Sequence, residues 1–283
     1  MNDLTLRIAS LHIHPVKSCA GLSLVQSLLT ATGLQADRQW MVVDGDGRFV
    51  SQRQLPRMAL IRPRLQDGTL SLCSPGLPDL ALPGEGHTQR TVRVWDDEVN
   101  AFDEGNMASQ WLHQALGRPL RLVRFDTTRR RLSSRRWTGE IEAENAFSDG
   151  FPILVASTSG LDELNRRLRE RGHPPVGMER FRPNLVLDGL EDPHGEDFID
   201  ELRFATPEGP VVLKLVKPCV RCSIPSVDPA SGLQGTEPGD TLAGYRADSR
   251  MQGGITFGMN AVIVEGVGRT LRAGMAGEAS LGF

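Results

Sequence analysis

Tyrosine occurs only once in this chain of 283 residues, cysteine occurs four times, and long apolar runs are missing. A helix that crosses a bilayer needs roughly 20 consecutive apolar residues, so the sequence argues against a membrane span. Residues 1–4 do not resemble the basic and apolar regions of a secretory signal. A basic excess is missing too, since the formal net charge is −3, which argues against a general nucleic-acid binder. We therefore expect a cytoplasmic protein without a membrane or nucleic-acid partner.

Two of the four cysteines, Cys219 and Cys222, stand three residues apart in the stretch Lys217-Pro218-Cys219-Val220-Arg221-Cys222. In the cytoplasm we expect both to be reduced. The adjacent cation of Arg221 favours the thiolate form, which is a soft ligand and a nucleophile. Turn-forming residues around Asp228 follow. The pattern therefore indicates a short reactive loop.

Three kinds of chemistry use a single C-x-x-C pair, and the pair alone leaves all three open. A structural zinc site needs four ligands, and the other two cysteines, Cys19 and Cys73, are remote in the sequence. A thioredoxin-like redox pair lies where a strand meets a helix, and Pro225 disfavours a helix directly after Cys222. The third use is a single thiolate ligand to a larger cofactor.

The order of predicted elements favours a fold that is mainly β or α+β. Glycine occurs 30 times and proline 18 times, which is typical of many turns between short elements. Alternating segments predict strands in both halves of the chain. Regular alternation of strands and helices is missing, so we expect antiparallel barrels or sheets with attached helices.

Two helices are predicted between the groups of strands. The first runs from about Met107 to Leu116 and is stopped by Gly117. The second covers about residues 161–171, with Ser159 as its N-cap.

The basic segment 128–136 separates these helices, and we interpret it as an exposed loop that connects two domains. It could also form an electropositive lip for an anionic ligand. We expect an N-terminal β-barrel-like domain over residues 1–120, a basic connection over 121–145 and a C-terminal domain over 146–283.

Two turns in the N-terminal half carry groups that suit an anionic ligand. Lys17 and Ser18 lie in a turn of small residues, where a cation, a hydroxyl and backbone N–H groups can gather. Arg38 stands at the start of a predicted strand. Each could equally be an ordinary turn or strand-end residue.

Two turns in the C-terminal half carry similar groups. Pro183 favours an extended Arg182, so Arg182 and Asn184 would point the same way toward an oxygen-rich ligand. The Asp149-Gly150 turn offers a carboxylate and backbone N–H groups to the ring nitrogens of a heterocycle.

Motifs along nearly the whole chain resemble the MOSC family, in the branch with an N-terminal MOSC β-barrel domain. That branch includes the mitochondrial amidoxime-reducing component and its bacterial relatives. The motifs are His14-Pro15-Val16-Lys17-Ser18-Cys19, Gly33-Leu34, Asp37-Arg38-Gln39-Trp40, Gln52-Arg53-Gln54, Phe147-Ser148-Asp149-Gly150-Phe151-Pro152, Leu161-Asp162-Glu163-Leu164-Asn165, Phe181-Arg182-Pro183-Asn184, Lys217-Pro218-Cys219-Val220-Arg221-Cys222, Asp228-Pro229 and Phe257-Gly258-Met259-Asn260.

The resemblance implies a C-terminal MOSC β-barrel with attached helices and a molybdenum cofactor, a pyranopterin whose dithiolene binds Mo. It implies that Cys222 is the protein thiolate ligand of the metal. Asp228 would deliver protons or cap its loop, and Asp149 and Gly150 would contact the cofactor. The residues implied to hold the pterin and its phosphate are Lys17, Ser18, Arg38, Arg182, Asn184 and Arg221.

The implied activity is a two-electron reduction that removes oxygen from N-hydroxylated compounds such as amidoximes and hydroxylamines. No cysteine follows Cys222, so we expect no iron–sulfur cluster in this chain and a separate ferredoxin, flavodoxin or cytochrome-like electron donor. An alternative is a sulfur-transfer or cofactor-carrier protein in which Cys222 holds a persulfide or delivers the cofactor. A zinc-stapled binding module is a third possibility.

Overall fold

A computed structural model describes residues 4–82, 84 and 88–282 of the chain, and strands dominate it. The strands are β1 (Leu4–Ile13), β2 (Leu22–Leu24), β3 (Gln26–Thr30), β4 (Gly33–Leu34), β5 (Trp40–Val43), β6 (Arg62–Gln66), β7 (Thr69–Cys73), β8 (Leu80–Ala81), β9 (Thr88–Val94), β10 (Asp97–Asp103), β11 (Arg121–Phe125), β12 (Ile153–Ser157), β13 (Leu185–Asp188), β14 (Ile199–Thr206), β15 (Gly209–Val220), β16 (Ala247–Asp248), β17 (Gly254–Glu265), β18 (Thr270–Arg272) and β19 (Ala276–Leu281).

Helices are few and mostly short among these residues. The α-helices are α1 (Gly105–Leu116), α2 (Arg135–Thr138), α3 (Thr158–Glu170) and α4 (Gly239–Ala243). Single 3-10 turns cover Pro56–Leu60, Met178–Arg180, Gly195–Phe198, Ile224–Ser226 and Ser249–Met251. The predicted fold class, mainly β with a barrel and attached helices, is confirmed.

Seven strands form a closed barrel in the order β12-β13-β1-β19-β14-β15-β17, and β17 pairs back onto β12. Apolar side chains from all of these strands fill its interior, including the fully buried Ile8, Leu213 and Phe204. At the closure Gly258 has φ +78°, and a Cβ there would lie 2.6 Å from the Val155 carbonyl oxygen. Closing the barrel therefore requires glycine at this position.

The strand β1 belongs to this barrel although it opens the chain. It lies between β13 and β19 and pairs antiparallel with both. The other six barrel strands come from residues 153–281. The sequence-based domain boundaries remain a prediction, but the barrel includes a strand from the first 13 residues.

One parallel pair interrupts the antiparallel pattern. The strands β12 and β13 run parallel and are connected through α3, which provides the crossover that a parallel pair needs. The predicted second helix is present, but its N-cap is Ser157 rather than Ser159, because the Ser157 hydroxyl accepts from the Gly160 N–H at 3.1 Å. The β12 strand runs directly into the helix, and the cap therefore lies at the last strand residue.

Most of the remaining N-terminal elements pack around two further apolar clusters. A four-stranded sheet has the order β5-β11-β10-β9, and a three-stranded sheet has the order β6-β7-β8. The helix α1 ends at Gly117, with φ 71°, as predicted. It buries Trp111 and Leu112, whereas Met107 is 60% exposed and does not belong to the apolar stripe.

The basic segment 128–136 is not a uniformly solvated loop. Arg131 is buried, and its Nη1 donates to the carbonyl oxygens of Ala146 at 2.9 Å and Ser148 at 2.7 Å. It also pairs with Asp97 at 2.8 Å. The segment therefore anchors the chain that leads into β12.

No helix among the described residues combines the length and the apolar character needed to cross a membrane.

Candidate active-site cleft

A cleft of about 790 Å³ lies between the N-terminal elements and the barrel. Its walls come from the loops that flank β1, β5, β12 and β13 and from the end of β15. Nine of the ten predicted site residues line it, and they are Lys17, Ser18, Arg38, Asp149, Gly150, Arg182, Asn184, Arg221 and Cys222.

Lys17 and Asp149 join the loop after β1 to the turn before β12. The Lys17 Nζ donates to Asp149 Oδ1 at 2.5 Å and to the Phe147 carbonyl oxygen at 2.8 Å. Desolvation lowers the pKa of Lys17, although Asp149 opposes this. Desolvation in the cleft tends to raise the pKa of Asp149, but Lys17, the Trp95 N–H and Arg38 together outweigh it and hold that pKa well below its usual range. Asp149 is thus an ionised acceptor whose side chain is 74% open to the cleft.

Arg38, Asn184 and Arg182 form a connected group at the floor of the cleft. Arg38 Nη1 donates to Asn184 Oδ1 at 3.1 Å, and Nη2 donates to the Arg182 carbonyl oxygen at 2.9 Å. Asn184 is buried and also accepts from the Leu154 N–H at 3.0 Å. Its amide therefore orients Arg38 and β12 through protein contacts, and its predicted contact with a ligand stays a prediction.

The backbone of this group departs from the extended form predicted for Arg182, whose φ is 58°. Arg38, at 48°, and Ser18, at 66°, share the left-handed region that residues with a side chain rarely adopt. Surrounding contacts hold these conformations, since Arg182 Nη1 donates to the Cys19 carbonyl oxygen. Such strain gathers at ligand-binding sites more often than elsewhere.

Arg182 has no carboxylate partner in the part of the chain that the structure describes. Burial and the neighbouring Arg38 lower the pKa of Arg182 to about 10, so the guanidinium is still charged at neutral pH. A partly desolvated cation that lacks an anionic partner makes a favourable site for an anion.

The C-x-x-C pair stands at the end of β15, on the cleft wall. Cys222 is exposed, and Cys219 is half-buried. Arg221 Nη1 lies 2.9 Å from Cys219 Sγ, and Nη2 donates to the Phe181 carbonyl oxygen at 2.9 Å. The Arg221 guanidinium thus fixes the loop and brings positive charge to the cysteine pair, while its buried Nε–H has no partner among the described residues.

Asp228 is the predicted site residue that does not line the cleft. Its Oδ1 accepts from the N–H groups of Ala230 at 2.9 Å and Ser231 at 2.8 Å. Its Oδ2 pairs with Arg180 at 2.9 Å. These contacts are those of a loop cap, one of the two roles predicted for it.

One group of cleft residues that the sequence interpretation missed surrounds Trp95, in the turn between β9 and β10. Trp95 is 46% exposed and donates from Nε1 to Asp149 at 3.1 Å. The Arg53 guanidinium lies 4.6 Å from its ring centroid, and the Phe49 ring lies 5.0 Å away, edge-on. A tryptophan in a short acidic turn was the available signal in a chain with few aromatic residues.

A second group of cleft residues that the sequence interpretation missed surrounds Trp137, in α2. The Lys217 Nζ is 5.3 Å from the Trp137 ring centroid and 5.8 Å from that of Phe151. The Arg136 guanidinium is 5.6 Å from the same Trp137 centroid. The sequence analysis offered segment 128–136 as an electropositive lip for an anionic ligand, and that hypothesis indicated this part of the cleft.

The cleft is cationic although the chain as a whole is slightly acidic. Eight cationic side chains line it against three carboxylates, two of which are already paired with Lys17 and Arg131. Low-dielectric walls of one sign concentrate the field on an anionic ligand. The cations are Lys17, Arg38, Arg53, Arg131, Arg136, Arg182, Lys217 and Arg221.

The residues present fit a phosphate-bearing molybdenum cofactor. Arg182 and the Arg221 Nε–H offer donors without an anionic partner, and Cys222 exposes a soft sulfur ligand on the same cleft. The described residues contain no cluster of three or more His, Cys, Asp or Glu side chains that could hold a metal, so the zinc alternative finds no ligand set there.

Comparison with family models matches residues 5–119 to the MOSC N-terminal beta barrel domain and residues 142–276 to the MOSC domain. The chain belongs to the MOSC family. The predicted family is thereby confirmed.

Curated relatives of this MOSC protein include two amidoxime-reducing components. Mitochondrial amidoxime-reducing component 1 of Mus musculus is 37% identical over 250 residues, which cover 84% of this chain and 71% of the relative. Mitochondrial amidoxime reducing component 2 of Homo sapiens is 34% identical, with 84% and 72% covered. Molybdenum cofactor sulfurase of Arabidopsis thaliana is 31% identical over 89% of this chain and 32% of the relative. These relatives associate the chain with molybdenum cofactor chemistry.

Proposed function

We propose that this MOSC protein binds a molybdenum-pyranopterin cofactor in the cleft and reduces N-hydroxylated compounds such as amidoximes and hydroxylamines. The observation that carries the proposal is that one cleft is lined by an exposed thiol, Cys222, and by the half-buried cation of Arg182, which has no carboxylate partner among the described residues. The names of the amidoxime-reducing relatives support the choice of reaction.

Each group of cleft residues has a distinct part in the proposed site. Cys222 supplies a thiolate to the metal, and Arg182, Arg221 and Ser18 donate hydrogen bonds to the pterin and its phosphate. Arg38 holds Arg182 in place by donating to the Arg182 carbonyl oxygen. Asn184 fixes the start of β12 by accepting from the Leu154 N–H. The contact with Lys17 keeps Asp149 ionised. As a carboxylate, Asp149 would accept hydrogen bonds from N–H groups of the pterin rings.

The reaction balances as a two-electron reduction. An amidoxime takes up two electrons and two protons, its N–O bond breaks, and an amidine and one water molecule leave. When bound, the cofactor supplies the two-electron redox chemistry at the metal, and the protein supplies ligation, orientation and the electrostatic field. The cationic walls stabilise negative charge that develops on the departing oxygen.

The first test is metal and pterin analysis of protein from a host that makes molybdenum cofactor, followed by benzamidoxime reduction with reduced methyl viologen as donor. We expect near one Mo and one pterin per chain and turnover to benzamidine. Bound Mo without turnover of any N-hydroxylated compound would refute the proposed reductase activity but support the proposed cofactor site.

The Cys222→Ser variant tests the ligand assignment, and we expect it to abolish amidoxime reduction and leave the fold intact. Cys73→Ser is the matched control, because Cys73 is half-buried at the end of β7 and does not line the cleft. Wild-type turnover in Cys222→Ser would show that the metal ligand lies elsewhere. Circular dichroism and the urea midpoint check the fold of both variants.

The alternative function is sulfur transfer or cofactor carriage by Cys222. It is favoured by the exposure of Cys222 beside Cys219 and by the likeness to molybdenum cofactor sulfurase. Mass spectrometry of Cys222 after incubation with a sulfur donor tests it. A persulfide on Cys222 in protein that lacks Mo would favour this function over the reductase.

The electron donor and the location of the protein belong to the proposal as well. The reductase function calls for a separate ferredoxin, flavodoxin or cytochrome-like protein. The cytoplasm remains the proposed location.

A further inference from the structure

Two cations on the Trp137 side of the cleft have no carboxylate partner. Lys217 and Arg136 both line the cleft, and neither forms an ion pair within the described parts of the chain. We call these two residues, with the Trp137 and Phe151 rings beside them, the tryptophan wall. It offers an aromatic surface with two positive charges, 5.6 and 5.3 Å from the Trp137 ring centroid.

Three neighbouring arginines of the same segment are paired, in contrast to Arg136. Arg130 pairs with Glu144 at 2.6 Å, Arg131 with Asp97 at 2.8 Å, and Arg135 with Glu142 at 3.1 Å. Arg136, which faces the cleft, is left without such a partner. Local acids thus pair three of these arginines, including Arg131 of the cleft lining, and leave the charge of Arg136 unpaired.

The wall differs from the cations at the cleft floor in how its charges are held. Arg38 and Arg182 are half-buried, and several protein contacts hold them, which suits a resident cofactor. Arg136 is exposed, and Lys217 is half-buried. Exposed side chains over an aromatic ring suit a ligand that enters and leaves, because the ring stacks on a planar molecule and the cation binds its anionic group.

We propose that the tryptophan wall selects N-hydroxylated substrates that are planar and carry an anionic group, a carboxylate or a phosphate. This inference rests on the proposed reductase function. The ring of the substrate stacks on Trp137, and Arg136 and Lys217 bind its anionic oxygens. Reduction of such a substrate consumes two electrons and two protons, breaks the N–O bond, and releases the amidine and water, with reduced methyl viologen as the electron source in the test.

The test compares 4-carboxybenzamidoxime and 4-phosphonobenzamidoxime with neutral 4-carbamoylbenzamidoxime, which has nearly the same shape. We expect kcat/KM to be higher for an anionic substrate by roughly two- to fivefold, the size that a partly exposed ion pair supports. The two anionic compounds show which group the wall prefers. A small-molecule donor removes any effect of the wall on docking of a donor protein.

The Arg136→Gln and Lys217→Met variants should each lower the ratio of anionic to neutral kcat/KM by roughly threefold, and Arg136→Lys should retain most of the ratio. Arg129→Gln is the matched control, since Arg129 lies in the same segment, is exposed and does not line the cleft. We expect the control to keep the wild-type ratio. Equal kcat/KM values for the three substrates in the wild-type chain would overturn the proposal.

Two further readouts separate the wall from the cofactor site and from the reductase function. Mo and pterin content should be the same in Arg136→Gln as in the wild type, and a loss would assign Arg136 to the cofactor instead. Binding of 4-carboxybenzamidine and 4-carbamoylbenzamidine, followed by tryptophan fluorescence, does not need turnover. Tighter binding of the carboxylate supports the wall even if no amidoxime is reduced, and equal binding in that case refutes it.

Discussion

At the scale of single residues, a buried carboxylate outside the cleft is the least expected feature of this chain. Glu196 is fully buried, and its Oε2 accepts from the Ser157 hydroxyl. The Oε1 atom has no partner among the described residues. Burial, opposed by the Ser157 hydrogen bond and reinforced by Asp197, raises the pKa of Glu196 to about 7. The folded state therefore favours the protonated acid.

This raised pKa predicts a stability that declines as pH rises. Below the ordinary pKa of 4.5 the group is protonated in both folded and unfolded chains, and its stabilising effect is fully present. Between pH 4.5 and about pH 7, Glu196 is ionised in the unfolded chain but still protonated in the folded chain. The free energy of unfolding therefore falls by roughly 3 kcal/mol at most over this range. Glu196→Gln should remove this part of the pH dependence in urea unfolding between pH 4.5 and 8.

The difference between wild type and Glu196→Gln isolates Glu196 from His194. The pKa of His194 is lowered to about 3 by burial, so His194 lowers stability on the acid side. Its contribution is common to both proteins. Parallel curves for wild type and variant would mean that Glu196 does not titrate in this range.

At the scale of elements, the start of α3 shows how a tertiary contact changes a local motif. Ser157 caps the helix through Gly160 N and also donates to Glu196, whereas Ser159 donates to the Asp192 carbonyl oxygen at 3.0 Å. From sequence alone both serines are acceptable caps. The strand β12 decides between them, because its pairing with β13 continues to Ser157.

We predict that Ser157→Ala lowers the free energy of unfolding by about 2 kcal/mol, since it removes a cap and the donor to a buried carboxyl. Ser159→Ala should cost less than half as much, because its hydrogen bond lies at a more exposed place. Urea midpoints at one pH, with unchanged slopes, measure both. Equal losses of unfolding free energy in the two variants would contradict Ser157 as the N-cap and favour Ser159.

At the scale of the whole molecule, the first strand completes a barrel built mostly from the last part of the chain. The strand β1 gives Leu6, Ile8 and Leu11 to the barrel interior and covers edges of both β13 and β19. Without it, two strands expose unpaired N–H and C=O groups beside an open core. Folding of the C-terminal half thus depends on residues at the other end of the chain.

We predict that the fragment 121–283 does not unfold cooperatively, because it lacks β1. The same fragment with residues 4–30 attached after residue 283 through a flexible linker should recover a cooperative urea transition. A scrambled version of residues 4–30 is the matched control. Cooperative unfolding of the bare fragment would show that the barrel closes without β1.

The sequence by itself determined the family, the mainly β fold and nine of the residues that line the cleft. Each of these is encoded locally, in alternating apolar residues, in turns such as Asp149-Gly150 and in the spacing of Cys219 and Cys222. The tertiary structure alone decided the place of β1 in the barrel, the left-handed backbone of Arg182 and the turning of Asn184 toward Arg38. It also brought Trp137 and Lys217 together. These features depend on contacts between residues far apart in sequence, and no short pattern specifies the energy of such contacts.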